Sequence, residues 1–231
     1  MSAILAIDTA TNACSAAFRA DGEVRAHRYE LMERGHAERL MPMIAEVMTE
    51  AGKPVKAVDL IAVTVGPGAF TGLRVGLAAA RGLALAAAVP CFGVTTTEAI
   101  AAAVEGDRDG LVVVMDSKRA DFYVQVFEGA GRAISEPAAV LPDALAGHVA
   151  GFTASDARLV VAGNAADRAV PMLGAAGISC TSAGIDYPDA AVLAGLAGQR
   201  WTQGQDVPRP APVYLRPPDA VVPVNGGRLR P

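Results

Sequence analysis

Nine consecutive residues, Gly66-Pro67-Gly68-Ala69-Phe70-Thr71-Gly72-Leu73-Arg74, combine glycines, a proline and a hydroxyl in an order that can hold an anion. Gly66 and Gly68 permit backbone angles that other residues resist, and Pro67 stiffens the turn between them. Thr71 is placed to cap a following helix, whose first free N–H groups would face a phosphate. No Lys-Ser/Thr follows the glycines, and their spacing is not the dinucleotide fingerprint. A purely structural strand-to-helix turn therefore stays open beside the ligand reading. Two more stretches, Asp8-Thr9-Ala10-Thr11-Asn12 and Asp116-Ser117-Lys118-Arg119, begin with an aspartate after an apolar run. An aspartate at a strand end can order a metal-bound water or a phosphate. The candidate phosphate-facing side chains are thus Asp8, Thr9, Thr11 and Asp116. Neither loop contains glycine, which argues against tight phosphate binding, because only glycine lets backbone N–H groups approach closely.

Other chemistries find little support. Three histidines, His27, His36 and His148, are scattered along the chain, whereas a zinc or iron site needs three or more ligands. No Gly-x-Ser-x-Gly elbow and no His-Glu-x-x-His pair occurs. Cys14 sits among apolar neighbours in a strand-like run, where a thiol is inert. The expectation is no catalytic residue, no metal and no cofactor.

The elements that must position these residues read as follows. Ile4 to Asp8 and Ala13 to Ala20 are strands, and Asp21-Gly22 turns into a third, Glu23 to Tyr29. A helix from His36 to Ala51 carries the stripe Leu40, Ile44, Val47 and Met48 at helical spacing. Pro42 must then lie near its first turns. Leu60 to Val65 is a strand, Thr71 to Ala88 a helix, and Cys91 to Val94 a strand. Thr95 and Glu98 form a capping box for a helix through Val104. On the Thr71–Ala88 helix, Gly72, Gly76, Ala80, Ala84 and Ala88 recur every four residues and leave one ridge nearly bare. Leu73, Leu77 and Leu83 flank it. Two readings fit: burial against the chain's own sheet, or close contact with a helix of another chain. The second gives a partner interface of His36, Leu40, Ile44, Val47, Met48, Leu73, Gly76, Leu77 and Ala80. Arg74 and Arg81 argue against a membrane span.

The second half repeats the first in degraded form. Strands fall at Leu111 to Met115, Phe122 to Glu128 and Ala133 to Glu136, followed by a helix at Pro142 to Ala150. A strand at Arg158 to Ala162, a helix at Ala165 to Leu173, a strand at Ile178 to Thr181 and a helix at Ala190 to Trp201 complete it. Two three-strand meanders, each followed by alternating helices and strands, give an α/β fold of two actin-like (ASKHA, RNase H-like) lobes, the second reduced. The divisions expected are 1–106 for the first lobe, 107–206 for the reduced second lobe and 207–231 for a proline-rich extended tail. In that fold the Asp8 and Asp116 loops face each other across a cleft.

A formal charge of -4 argues against nucleic-acid binding by a broad basic surface of this chain alone. Cys14, Cys91 and Cys180 are far apart and odd in number, which fits reduced thiols in the cytoplasm. Met1-Ser2-Ala3-Ile4-Leu5 runs straight into a strand, with no secretory pattern.

Four stretches taken together resemble one family: Ile4-Leu5-Ala6-Ile7-Asp8-Thr9, His36-Ala37-Glu38-Arg39-Leu40-Met41-Pro42, the Gly66–Arg74 turn, and Pro212-Val213-Tyr214-Leu215-Arg216. The chain resembles the TsaB (YeaZ) family over nearly its whole length. That resemblance implies a non-catalytic partner of TsaD, the subunit that transfers threonylcarbamoyl to tRNA adenosine. It also implies contact with the small ATPase TsaE. An apolar surface exposed on the two paired helices would make the isolated chain a homodimer, and the net charge leaves contact with tRNA to the complex. The catalytic relative holds its metal with two histidines four apart; here His36 matches the first and Leu40 replaces the second. A small ATP-dependent kinase or transferase, or a metallohydrolase of the glycoprotease type, are the alternatives from other classes.

Overall fold

The computed structural model describes residues 2–216. Two five-stranded sheets carry the chain, each built as an antiparallel meander extended by two parallel strands. In the first, β1 (Ile4–Asp8), β2 (Ala13–Ala20) and β3 (Glu23–Leu31) form the meander, and β4 (Leu60–Thr64) and β5 (Cys91–Val94) extend it in the order β3-β2-β1-β4-β5. In the second, β6 (Gly110–Asp116), β7 (Phe122–Glu128) and β8 (Ala138–Val140) form the meander, extended by β9 (Leu159–Ala162) and β10 (Cys180–Ser182). This duplicated order is that of two actin-like lobes. The second is reduced in its helices: α4 (Leu145–Ala150) and α5 (Ala166–Ala175) stand where the first lobe has the longer α1 (His36–Glu50) and α2 (Phe70–Ala87).

The central strands are near-continuous apolar runs, and successive side chains point to opposite faces, so both faces are apolar. Leu5 and Ile7 of β1 and Ile61 and Val63 of β4 face α1 and α2. Ile4, Ala6, Leu60 and Ala62 face the other way. That second face is covered from the other half of the chain. Helix α6 (Ala190–Arg200) lays Ala190, Leu193, Ala194 and Ala197 on it, closed by Trp201. Helix α3 (Thr96–Ala101) does the converse: its Ile100 and Ala101, with Val104, pack on Leu111, Val113 and Met115 of the second sheet. Each lobe thus lends the other a helix.

Local signals account for most element ends. The Thr95–Glu98 capping box is present in both its bonds. Thr71, expected as a cap, lies instead in the first turn of α2, which starts one residue earlier after Ala69. Pro42 sits in the second turn of α1, exposed to solvent. The third strand of the second meander is β8, five residues beyond the expected Ala133. Gln125 and Val126 bond Ser135, and Pro137 offers no N–H for a ladder, so pairing resumes only after it. Helix α2 has the length and composition of a membrane span, but its Gly72, Leu73, Gly76, Leu77, Ala80 and Ala84 side is buried on its own lobe.

The tail from Val207 has no regular structure through Arg216, and residues 217–231 of the expected extended segment, like Met1, lie outside the described residues. Residues 210–214 run along the first lobe. The Val213 N–H donates to the Val65 carbonyl at 2.7 Å, and the Arg81 guanidinium donates to the Pro210 carbonyl.

Candidate functional site

The chain leaves β1 at Asp8 and turns back into β2 at Ala13, and this short loop is held from three sides. The Thr64 hydroxyl and the Ala10 N–H donate to Asp8 Oδ1, the latter at 3.2 Å. The Thr9 hydroxyl donates to the Gly72 carbonyl at 2.7 Å. The His36 ring places Nε2 at 3.0 Å from the Thr11 carbonyl and 3.2 Å from that of Ala13. Asp8 is fully buried, and its Oδ2 has no hydrogen-bond partner. Burial pushes its carboxyl up to about 7, against the lowering effect of the Thr64 hydroxyl and the Ala10 N–H.

The glycine turn serves this loop. A Cβ at Gly68 would overlap the Ala10 carbonyl oxygen, and one at Gly72 the Thr9 carbonyl oxygen. One at Gly76 would lie 2.5 Å from Thr9 Oγ1. Gly66, at φ +109°, lies beside the tail, where a Cβ would stand 2.8 Å from the Val213 carbonyl oxygen. The Ala69 N–H donates to the Ala10 carbonyl at 2.8 Å. The Gly72–Gly76 part of the ridge of α2 is therefore occupied by the chain's own first loop, while Ala80 and Ala84 pack in the core against the sheet.

Between the lobes lies a cleft of about 730 Å³. Ala10, Thr11 and Asn12 line it from the first loop, and Pro67, Gly68, Phe70 and Arg74 from the turn. Asp116, Ser117, Lys118 and Arg119 face them from the second lobe, and residues Val213 to Arg216 form a further wall. The two aspartate loops do meet across a cleft. Of the four candidate phosphate-facing residues, Thr11 and Asp116 line it. Asp8 and Thr9 do not: they are 0% and 1% exposed and bonded inward. The Asp116 carboxylate accepts from the Lys118 N–H at 2.8 Å and lies 3.8 Å from the Arg168 guanidinium. Arg74 stacks over Phe70, 3.6 Å from the ring centre, and Tyr214 packs on the same ring.

The proposed interface set also needs correction. Leu40, Ile44, Val47, Met48, Leu73, Gly76, Leu77 and Ala80 are all buried in the first lobe, because the helical stripe that the sequence shows is the stripe facing the sheet. His36 is half-buried and tied to the first loop. Leu40 replaces a would-be ligand with a core side chain, and among the described residues no three His, Cys, Asp or Glu side chains cluster as metal ligands. Cys14 is buried beside Met43, and burial pushes its thiol up to about 12. The sequence reading missed Asn164, whose side-chain oxygen accepts from the Asp116 N–H at 2.9 Å, and Asp121, which accepts from the Ser117 hydroxyl at 2.6 Å. No periodicity marks either residue; Tyr214 and Arg216 were visible only as part of a motif.

Two solved structures from Pseudomonas aeruginosa share this architecture over their full lengths. YeaZ superposes with a TM-score of 0.78 at 32% identity over 93% of this chain. A protein described as similar to peptidase YEAZ superposes at 0.80 with 31% identity over 94%. The chain belongs to the TsaB (YeaZ) family. A family model described as TsaD, tRNA N6-adenosine threonylcarbamoyltransferase, matches residues 29–171. The tRNA threonylcarbamoyladenosine biosynthesis protein TsaB of Escherichia coli is 48% identical over 93 residues, and that of Haemophilus influenzae 39% over 122. Those matches span 40% and 51% of the two TsaB relatives' own lengths. An uncharacterised protein of Mycobacterium tuberculosis is 36% identical over 193 residues, which is 90% of its length. In this TsaB-family chain the Gly66–Arg74 turn, the most specific part of the resemblance, is the packing partner of the first loop.

Proposed function

We propose that the chain is a non-catalytic subunit of the assembly that makes threonylcarbamoyladenosine in tRNA. It would pair with and stabilise a TsaD-type catalytic subunit, help recruit a TsaE-type ATPase, and form a homodimer when alone. The family, and the names of its TsaB relatives, support the pathway. The observation that carries the partner role is the outer side of α2. Apart from Thr71, Arg74 and Arg81 the helix consists of apolar residues and glycine, yet only 33% of it is buried. Ala78, Gly82, Leu85 and Ala86 face solvent, Leu85 at 84% exposure. Met41 and Ala45 of the neighbouring α1 are exposed too. An apolar patch of this kind on paired helices marks a protein contact, and its small residues admit a close helix. The interface is thus the reverse side of the helices first considered. Ala78→Glu and Leu85→Glu are expected to leave the melting curve of the isolated chain unchanged. Each should weaken co-purification with the TsaD-type relative by at least about tenfold, the scale of one lost apolar anchor. Wild-type binding by both variants would refute this placement.

The cleft between the aspartate loops is what favours the second reading, a kinase or transferase. Against it, Asp8 and Thr9 bond inward, and Gly68 and Gly72 receive carbonyl oxygens where a phosphate would need N–H groups. Calorimetry with magnesium-ATP should therefore give a dissociation constant no tighter than about 1 mM. Micromolar affinity, lost on Asp116→Asn, would restore the enzyme reading.

A further inference from the structure

Among the described residues, the tail joins the two lobes across the open side of the cleft. From Pro210 to Val213 it is fixed to the first lobe by the Arg81 and Val65 bonds. Pro210 is buried and lies against Gly93, where a Cβ would come within 2.9 Å of it. Tyr214 stacks on Phe70, with ring centres 5.3 Å apart, and its hydroxyl accepts from Arg74 at 3.2 Å. Two residues later the chain has crossed the cleft, and Arg216 pairs with Asp121 of the second lobe. The Asp121 side chain is 1% exposed and that of Arg216 36%. A carboxylate so buried needs a charge partner, and the tail supplies it. One end of the segment is thus anchored by hydrogen bonds to its backbone, an apolar contact and a stacked ring, while the other end is held, among the described residues, by the Arg216–Asp121 ion pair.

We propose that residues 210–216 form a releasable strap that holds the lobes closed over the cleft, with Arg216–Asp121 as its latch. While latched, the strap occupies one wall of the cleft with Tyr214, Leu215 and Arg216. Unlatching frees the second lobe to swing about the connections through α3 and α6, and opens the cleft between the aspartate loops. This inference does not depend on the proposed partner role.

The test is hydrogen exchange on the full chain, comparing wild type, Arg216→Gln, Asp121→Asn and the double variant. Exchange reports local opening segment by segment. Arg216→Gln should accelerate exchange about tenfold or more at 116–122 and 66–70, with no change in β2 and β4. Asp121→Asn should do the same, and the double variant should add nothing further, as expected for two halves of one contact. Val213→Pro, which deletes the N–H that anchors the strap to Val65, should reproduce the pattern from the other end. Unchanged exchange in Arg216→Gln, additive effects in the double variant, or uniform acceleration across both sheets would each overturn the proposal.

Discussion

Gly72→Ala is expected to cost the chain more than about 3 kcal/mol, while Gly82→Ala, ten residues along the same helix, leaves stability unchanged or raises it by up to about 1 kcal/mol. Gly72 is buried in the first turn and Gly82 is exposed in the helix interior, and a methyl group would meet different surroundings at each. At Gly72 it would enter the space of the Thr9 carbonyl oxygen, in a loop already held by Asp8, Thr64 and His36. Backbone atoms cannot swing aside as a side chain does, so either α2 or the loop must move. Moving α2 breaks the Thr9–Gly72 hydrogen bond and opens the packing beneath Leu73 and Leu77. At Gly82 nothing lies within 4 Å of the built Cβ. There alanine only removes the conformational freedom of an exposed helical glycine. Urea denaturation followed by circular dichroism measures both. Equal midpoints for Gly72→Ala and wild type would show that the loop yields and that the glycine ridge is not fixed by it.

The second large effect lies in the pH dependence contributed by Asp8. Its carboxyl sits at about 7 in the folded chain against 3.8 for an ordinary aspartate. The folded state therefore holds a proton that the unfolded state has released. Stability from this source is fully present below about pH 4 and is lost as pH rises through about 7. The three-unit interval corresponds to on the order of 4 kcal/mol. Surface carboxylates such as Glu30 and Glu46, held below the usual range by their hydrogen bonds to Arg39, work in the opposite sense. The difference between wild type and Asp8→Asn isolates the Asp8 contribution. The amide introduced by that substitution keeps an oxygen for the Thr64 hydroxyl and carries no charge at any pH. Relative to Asp8→Asn, wild type should lose stability steadily between about pH 4 and pH 7 and stay level above that. A flat difference across this range would mean that Asp8 is ionised in the folded chain with a partner for its second oxygen.

Much of the architecture was legible in the residues because its signals are local. Strand alternation, the Asp21-Gly22 turn and the Thr95–Glu98 box fix their elements within a few residues. The duplicated meander gave two lobes. The loss came where meaning depends on which side of an element faces what. The stripe Leu40, Ile44, Val47 and Met48 has the same spacing whether it meets a sheet or a partner, and only the folded chain shows the sheet taking it. The ridge of Gly72 and Gly76 is equally ambiguous in sequence, since a bare helix face accepts a loop from its own chain as readily as a foreign helix. Asp8 and Asp116 occupy equivalent strand ends, yet one is sealed by Thr64 and the other opens into the cleft. Sequence position alone does not reveal that difference in burial. Asp121 drew no attention because its partner lies at Arg216, far along the chain.

The exchange of helices between lobes has a consequence for how the chain is made. Synthesis proceeds from the N-terminus, and strands β1 to β5 are complete once residue 94 has been added. One face of that sheet can then close on α1 and α2. The opposite face, carrying Ile4, Ala6, Leu60 and Ala62, has no cover until α6 at residues 190–200 has emerged from the ribosome. At about 5–20 residues per second, that leaves an apolar sheet surface bare for some seconds in every nascent chain. The first lobe is begun earliest and finished last, so the newborn polypeptide presents chaperones with a binding surface that the mature protein conceals.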